Sequence, residues 1–245
     1  MNYGLQLYSV RDSMPEHFED TLARVANLGY RFVEFAGFFN HTAKEVASML
    51  DRFGLVISGT HTGWEELKGD LLPATIRYHK EIGNKNIIIP GADLSTKEKL
   101  DDFIALINHV QPILKKEGIA LGYHNHSHEF HPTAYGALIH QELEKRTDVE
   151  FEIDTYWAYH AGLDPVALLD RLYPRMRVIH IKDGNAQGQG FALGEGTAPV
   201  EEVRRAAIRF GLRMVVESET CKPTGLEEVG RCIRYLKSLD EKDYY

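Results

Sequence analysis

The sequence predicts an α/β fold in which a single (β/α)₈ TIM barrel spans residues 1–245. Eight short apolar runs alternate with helix-like segments, at about 30 residues per unit, which is the size of a βα repeat in a parallel sheet. No Pro- or Ser-rich linker divides the 245 residues, a length typical of one closed barrel. The competing fold, an open doubly wound sheet, normally has a glycine-rich turn after its first strand, and Leu7–Asp12 contains no glycine.

The eight predicted strands are short and rich in Val, Ile, Leu and Phe, as is typical of strands that are buried on both faces. In chain order they are Tyr3–Tyr8, Phe32–Phe35, Leu55–Thr60, Asn86–Pro90, Ile119–His124, Val149–Asp154, Met176–Ile181 and Arg213–Glu217.

The clearest helices are marked by a glycine just beyond their last residue, where a left-handed backbone ends the helix. They are predicted at Glu16–Leu28, Ala43–Phe53, Lys97–Glu117 and Val200–Phe210. Thr42 precedes the second of these helices, and Glu45 follows three residues later, which is the pattern of a capping box.

Composition limits the classes of partner and the compartment. With 36 acidic and 28 basic residues the formal charge is −8, so we expect no affinity for nucleic acid or for anionic membranes. No apolar run approaches the roughly 20 residues that span a bilayer. The first residues lack the pattern of a signal peptide, and only Cys221 and Cys232 are present, which fits a reducing cytoplasm. A cytoplasmic location is therefore expected, and a homo-oligomer is left open.

Ligand-type side chains stand at the ends of four successive predicted strands. His124, Asp154, His180 and Glu217 end strands five to eight, and strand alternation places His126 on the same face as His124. Since the carboxyl ends of barrel strands form the active site, these groups should meet near one axis. A mixed set of nitrogen and oxygen ligands predicts one divalent metal ion, with Mn, Co, Zn or Fe favoured over Mg.

Further polar or aromatic side chains near strand ends are candidate contacts to a small-molecule substrate. They are Tyr8, Glu34, His61, Glu129, Trp157, His160 and Lys182. Lys182 either stabilises an oxyanion or an anionic substituent of the substrate, or it forms a structural salt bridge with Asp183, Glu152 or Glu217. The segment Gly184–Gly196 contains five glycines, and we expect it to be mobile and to cover the site.

Several motifs together carry a resemblance to a known family. They are Gly4–Asp12, Tyr123–His126 with Glu129, Asp154–Trp157, His180–Asp183, Leu193–Thr197 and Val216–Ser218. The sequence resembles the sugar phosphate isomerase/epimerase group of xylose isomerase-like TIM barrels, which also includes ketose 3-epimerases, inosose dehydratases and endonuclease-IV-type enzymes.

The resemblance implies a divalent metal bound by acidic and histidine residues that end strands five to eight. Asp154, His180 and Glu217 match ligand positions of the relatives directly. The strand-five ligand is usually a glutamate, and His124 takes its place here, so the two-glutamate mechanism of the ketose 3-epimerases does not transfer. We expect His124 to be the ligand and His126 to be a substrate-facing acid/base, although the reverse assignment is also open.

The reaction expected from these parts is proton abstraction next to a carbonyl through an enediolate, as in isomerases and epimerases of sugars, sugar derivatives or cyclitols. Glu217, His126 and Lys182 are the expected catalytic residues. The alternative is a lyase or dehydratase of the inosose dehydratase or 3-keto-glycoside-eliminating type. An endonuclease-IV-like DNA repair enzyme and a non-catalytic sugar-binding barrel are less favoured, because the first needs a basic groove and the second needs no ligand set.

Overall fold

The computed structural model describes residues 1–243 and confirms a closed barrel of eight parallel strands. Each barrel strand pairs with its neighbour along the chain, and the last pairs with the first. The strands are β1 (Gly4–Gln6), β2 (Phe32–Phe35), β3 (Val56–His61), β4 (Asn86–Ile89), β5 (Ala120–His124), β6 (Glu150–Asp154), β7 (Met176–Ile181), β8 (Asp183–Gly184), β9 (Gly190–Phe191) and β10 (Arg213–Val216). Of these, β8 and β9 form a separate antiparallel hairpin beside the barrel.

Helices surround the barrel and bury their apolar faces against its outer surface. They are α1 (Met14–Leu28), α2 (Ala43–Phe53), α3 (Leu71–Glu81), α4 (Lys97–Lys116), α5 (Ile139–Arg146), α6 (Thr155–His160), α7 (Pro165–Leu172), α8 (Val200–Phe210) and α9 (Gly225–Lys242). The capping box of α2 is present, because the Thr42 and Glu45 side chains accept each other's backbone N–H groups. Across residues 1–243 we find no helix whose length and apolar character would let it cross a bilayer.

The first strand is shorter than predicted. The sequence predicts Tyr3–Tyr8, but the strand ends at Gln6 and Leu7–Val10 forms a 3₁₀ turn. The Gln6 side-chain oxygen accepts the Tyr8 N–H at 3.0 Å, which turns the chain away from the barrel axis. Tyr8 therefore lies at the rim of the barrel, where 44% of its surface is exposed.

The register of the parallel strands places the candidate ligands side by side. Asp154 pairs with His180 across β6 and β7, and His180 pairs with Val215 across β7 and β10. On the other side, His124 pairs with Glu152 across β5 and β6. Because all these positions are near the carboxyl ends of their strands, their side chains meet at one mouth of the barrel.

Candidate metal centre and substrate pocket

Four buried side chains that the sequence singled out converge at the carboxyl end of the barrel. His124, Asp154, His180 and Glu217 each offer one nitrogen or oxygen, and these four atoms all lie within 4.8 Å of one another. His124 Nε2 is 3.7 Å from Asp154 Oδ2, and His180 Nδ1 is 3.4 Å from Glu217 Oε2. The structure thus brings together one imidazole or carboxylate from each of four neighbouring strands.

Several donor atoms in this cluster are buried and have no hydrogen-bond partner. They are both ring nitrogens of His124, Oδ2 of Asp154 and Nδ1 of His180. A buried polar atom that makes no hydrogen bond costs free energy, so such atoms are uncommon unless another group satisfies them. Two imidazole nitrogens and a carboxylate oxygen this close together are a set of ligand atoms that fits a divalent cation.

The two histidines of the cluster differ in how readily they can bind a metal. Burial lowers the pKa of His124, which keeps its imidazole neutral and able to act as a ligand. His180 is buried as well, but the carboxylates of Glu152, Glu217 and Glu34 raise its pKa well above the usual value. A metal that binds Nδ1 of His180 must therefore displace a proton.

Lys182 is buried at the edge of the cluster and contacts three carboxylates. Its Nζ lies 2.9 Å from Glu217 Oε2, 2.5 Å from Glu219 Oε2 and 3.4 Å from Asp154 Oδ2. Burial opposes the charge, but the carboxylates raise the pKa of Lys182, and Lys182 and His180 together lower the pKa of the buried Glu217 well below the usual value. Both groups are ionised. Of the alternatives left open by the sequence, the ion pair with Glu217 is present.

Two further glutamates lie behind the ligand set, inside the barrel. His180 Nε2 is 2.8 Å from Glu34 Oε1 and 3.3 Å from Glu152 Oε2, while His61 Nε2 is 2.8 Å from Glu152 Oε2. Burial and the charge of Glu34 raise the pKa of Glu152 well above its usual range. Burial also opposes the charge of Glu34, but His180 and His61 lower its pKa to about 2. The two carboxyl groups therefore differ, since Glu34 favours the ionised form and Glu152 favours the protonated form.

The placement of Glu34 differs from the sequence prediction. We expected a substrate contact, but Glu34 is 0% exposed and its carboxylate is bound by Gln6 Nε2 at 2.7 Å and by His180. It supports a candidate ligand from the interior of the barrel. Glu152 was not predicted as a site residue, although alternation along β6 puts it on the same face as Asp154.

A cavity of about 440 Å³ opens in front of the cluster, which is within the range of small-ligand sites. The polar side chains that line it are those of Tyr8, His61, His124, His126, Glu217 and Glu219. Glu219 was not predicted, but it follows Glu217 by two residues just beyond β10. His126 is partly exposed in the cavity wall, and the adjacent Glu129 carboxylate raises its pKa above the usual value.

Glu129 and His160 do not line the cavity, in contrast to the prediction. Glu129 is 0% exposed, and its carboxylate accepts the Tyr123 hydroxyl at 3.0 Å and the His126 N–H at 2.9 Å. It fixes the turn that carries His126. The Nδ1 of His160 lies 3.1 Å from the carbonyl oxygen of Ala186, so this ring packs against the hairpin loop instead.

Trp157 is half-buried at the edge of the site and supports Lys182. The Lys182 Nζ lies 4.8 Å from the centre of the Trp157 ring, a cation–π contact. The indole Nε1 of Trp157 is buried and has no hydrogen-bond partner.

The glycine-rich segment after β7 has a defined shape, although the sequence predicted a mobile cover. It contains the β8–β9 hairpin, and the Asp183 carboxylate accepts the backbone N–H groups of Gly184, Gly194, Gly196 and Ala198. These hydrogen bonds tie both ends of the segment to one buried side chain.

Fold and site together define an α/β-barrel protein whose strand ends carry a candidate metal centre. The family profile of xylose isomerase-like TIM barrels matches residues 22–239, and the chain belongs to this family. A crystal structure of a sugar phosphate isomerase/epimerase from Parabacteroides distasonis ATCC 8503 is similar, with a TM-score of 0.82 and 26% identity over 96% of this chain and 97% of that one.

Curated relatives by sequence include an inosose dehydratase from Geobacillus kaustophilus (strain HTA426), which is 24% identical over 205 residues. That match covers 71% of this chain and spans 66% of the length of the relative. A structure of an L-ribulose 3-epimerase shares the fold, with a TM-score of 0.74 at 14% identity over 98% of this chain and 94% of that one.

Proposed function

We propose that this protein is a divalent-metal-dependent carbohydrate isomerase or epimerase that removes a proton next to a carbonyl and returns it through an enediolate. The observation that carries the proposal is the set of buried atoms of His124, Asp154 and His180 that have no hydrogen-bond partner and lie within 4.8 Å of one another and of the ionised Glu217. Of these residues, His124 and Glu217 line a small cavity. A sugar derivative or cyclitol is the substrate class that fits the cavity and the family.

His124, Asp154, His180 and Glu217 are the residues that would hold the ion. Once bound, a divalent ion such as Mn²⁺, Co²⁺, Zn²⁺ or Fe²⁺ supplies Lewis acidity at a carbonyl and an adjacent hydroxyl of the substrate. Glu34 and Glu152 hold the histidine rings of His180 and His61 in fixed orientations.

Glu217 and His126 are the proposed acid/base pair, since both line the cavity. Glu217 is ionised and can accept the proton that leaves the substrate carbon. The Glu129 carboxylate raises the pKa of His126, which favours the protonated imidazole that can deliver a proton. A positioned acid or base of this kind typically accelerates a reaction by about 10²–10⁴-fold. Lys182 was expected to act on a substrate oxygen, but its ammonium lies behind the cavity wall, where it keeps the Glu217 carboxylate ionised and in place.

Elimination is the second candidate function, and the position of His126 in the cavity wall, apart from the proposed ligand set, supports it. A protonated imidazole in the cavity wall can protonate a departing hydroxyl after Glu217 has taken the first proton. This is the reaction type of a dehydratase, and the curated relative from Geobacillus kaustophilus carries that name. Endonuclease-type and non-catalytic sugar-binding functions remain the less favoured alternatives. Cytoplasmic location and homo-oligomer formation remain predictions.

Deuterium exchange tests the proposal directly. The Mn²⁺-loaded protein is incubated in D₂O with a panel of ketoses, inososes and 3-keto-glycosides, and deuterium incorporation is measured by mass spectrometry. We expect exchange with at least one class, and we expect Glu217→Gln to retain less than about a tenth of it with unchanged far-UV dichroism.

Glu81→Gln is the matched control, because Glu81 is exposed at the end of α3, at the opposite end of the barrel. It should exchange at the rate of the unaltered protein. Full exchange by Glu217→Gln would remove Glu217 from the mechanism, and no exchange with any substrate would refute the proposal.

A further inference from the structure

The cavity in front of the ligand set has no uncompensated cation in its wall, because the imidazolium of His126 lies beside the Glu129 carboxylate, with Nδ1 3.9 Å from Oε1. Every residue that lines it lies within the described part of the chain, and none is a lysine or arginine. The nearest ammonium is that of Lys182, which is buried and already contacts the carboxylates of Glu217, Glu219 and Asp154. Together, one bound divalent ion and Lys182 carry the same amount of charge as these three carboxylates, with opposite sign. Since the charge of His126 is offset by Glu129, these groups leave no net positive charge for an anionic group of a substrate.

The backbone N–H groups of the loop after β7 are already bonded to a carboxylate of the protein itself. In TIM barrels a phosphate group is frequently bound by backbone N–H groups of the loops that follow strands seven and eight. Here the N–H groups of Gly184, Gly194, Gly196 and Ala198 point at the Asp183 carboxylate, at 2.8, 2.9, 3.0 and 3.1 Å. Asp183 thus occupies the place that an anionic ligand would need.

Backbone N–H groups of the loop after the last barrel strand are bonded to carboxylates in the same way. The buried Glu228 carboxylate accepts the N–H of Lys222 at 2.8 Å and the N–H of Thr220 at 3.3 Å. The N–H of Gly225, at the start of α9, donates to Asp12 Oδ2 at 3.0 Å. In both loops these backbone N–H groups are therefore bonded to carboxylates of the protein itself.

Arg11 is the cation closest to the rim of the cavity, and its terminal nitrogens are engaged. They donate to the carbonyl oxygens of Tyr8 at 3.0 Å and Glu219 at 2.6 Å, and the guanidinium lies 4.4 Å from the centre of the Tyr8 ring. These contacts hold the rim of the pocket together and leave little of the guanidinium for a ligand.

We infer that the pocket takes an uncharged keto-sugar or cyclitol and discriminates against its phosphate esters, although the structural relatives are named sugar phosphate isomerase/epimerase. A phosphate dianion placed in this pocket would lose its hydration without gaining a compensating cation or backbone donor, and it would face Glu217 and Glu219. The inference rests on the proposed function and names its substrate class.

The first test compares matched pairs in the deuterium-exchange assay. D-Xylulose is set against D-xylulose 5-phosphate, and D-fructose against D-fructose 6-phosphate, with the Mn²⁺-loaded protein. We expect kcat/KM for exchange to be at least about 100-fold higher for the uncharged member of a pair. Equal or faster exchange of the phosphate ester overturns the inference but leaves the proposed function intact.

If no ketose exchanges, the proposed function fails, but a binding measurement can still test the inference about substrate charge. The melting temperature of the Mn²⁺-loaded protein is measured with unreactive xylitol and with xylitol 5-phosphate. Preferential stabilisation by xylitol supports the inference. Equal or greater stabilisation by the phosphate, or none by either compound, overturns it.

Variants identify the source of the discrimination. Glu219→Gln removes one of the three carboxylates around Lys182, so we expect it to narrow the preference for the uncharged member by about tenfold. Glu81→Gln, which removes one exposed charge at the other end of the barrel, should leave the preference unchanged. If Glu219→Gln keeps the same preference, the neutralisation of the Lys182 charge by carboxylates is not the source of the discrimination. Phosphate binding that disappears in Arg11→Met would reveal an anion site that the inference denies.

Discussion

His180 Nε2 lies 2.8 Å from Glu34 Oε1, so the imidazole is held from inside the barrel while its Nδ1 faces Glu217 Oε2 at 3.4 Å. Metal-binding histidines commonly bond a carboxylate through their other nitrogen, and this bond fixes the orientation of the ring. The pair gives Glu34 a role that is different from the substrate contact expected of a strand-end glutamate.

Glu34→Gln is expected to weaken Mn²⁺ or Co²⁺ binding by about 10–100-fold, because the amide removes the charge that orients His180 and supports its basicity. Titration against a competing chelator measures this affinity, and Glu81→Gln serves as the control. If Glu34→Gln binds metal as tightly as the unaltered protein, the Glu34–His180 contact has no part in metal binding.

His124→Ala and His126→Ala should differ in which property they lose. Both ring nitrogens of His124 are buried and unpaired beside Asp154, whereas His126 lies in the cavity wall. We expect His124→Ala to lower the metal content of the purified protein. We expect His126→Ala to keep the metal and to lower turnover by about 10²–10⁴-fold. Metal analysis and exchange rates on the same samples separate the two, and the opposite pattern would exchange the assigned roles.

The barrel and the convergence of the ligand-type residues were predictable because they depend on periodicity alone. Eight apolar runs specify eight strands, and parallel strands of similar length bring their last residues to one end. Asp154 and His180 are direct neighbours in the register for this reason. Prediction required no knowledge of side-chain rotamers.

The contacts of Glu34 and Glu152 with neighbouring strands could not be obtained from alternation within one strand, because the register shifts beside both of them. It shifts between Val33 and Glu34 where β2 meets β3, and between Phe151 and Ile153 where β6 meets β7. A shift of one residue changes which residues of the neighbouring strand lie opposite, and sequence periodicity does not reveal it.

Glu129 and Asp183 illustrate a second limit, which is the direction of side chains in turns. The 3₁₀ turn His128–Phe130 directs the Glu129 carboxylate inward to the His126 N–H. The Asp183 carboxylate accepts hydrogen bonds from backbone N–H groups up to 15 residues further along the chain. Both arrangements depend on loop conformations that glycine content and charge do not specify.

The stability of the protein should fall on mild acidification because of His79. This side chain is buried on α3, its Nδ1 lies 2.9 Å from Asn84 Nδ2, and burial lowers its pKa from 6.5 to about 4. The unfolded chain takes up a proton near pH 6.5, whereas the folded chain does not until about pH 4. The contribution of His79 to the free energy of unfolding is therefore fully present above pH 6.5. It decreases by at most roughly 3 kcal/mol as the pH falls toward 4.

Urea unfolding of the unaltered protein and of His79→Gln between pH 7.5 and about 4 tests this. His61, whose pKa burial also lowers to about 4, titrates in both proteins and cancels in the comparison. We expect the free energy of unfolding of His79→Gln to fall less steeply below pH 6.5, by up to about 1.4 kcal/mol per pH unit. Parallel curves for the two proteins would show that His79 is not held neutral in the folded state.

Removal of the metal should lower the melting temperature without unfolding the protein at room temperature. The proposed ligands stand at the ends of strands whose barrel is packed with buried apolar side chains, so the metal-free chain keeps its core. A ligand that binds only the folded state adds about 2.7 kcal/mol at 100 times its Kd. Because about 1 kcal/mol shifts the melting temperature of a protein of this size by about 2–4 °C, chelation should lower it by roughly 5–11 °C.

Mn²⁺ or Co²⁺ should restore the melting temperature of the chelated protein. The double variant Asp154→Asn/His180→Ala should not respond, because it lacks two of the four proposed ligands. Asp102→Asn/His109→Ala makes the same chemical changes on the exposed face of α4 and should respond like the unaltered protein. If the unaltered protein melts at the same temperature with chelator and with metal, and contains no metal as purified, then the unpaired atoms of His124, Asp154 and His180 do not form a metal site.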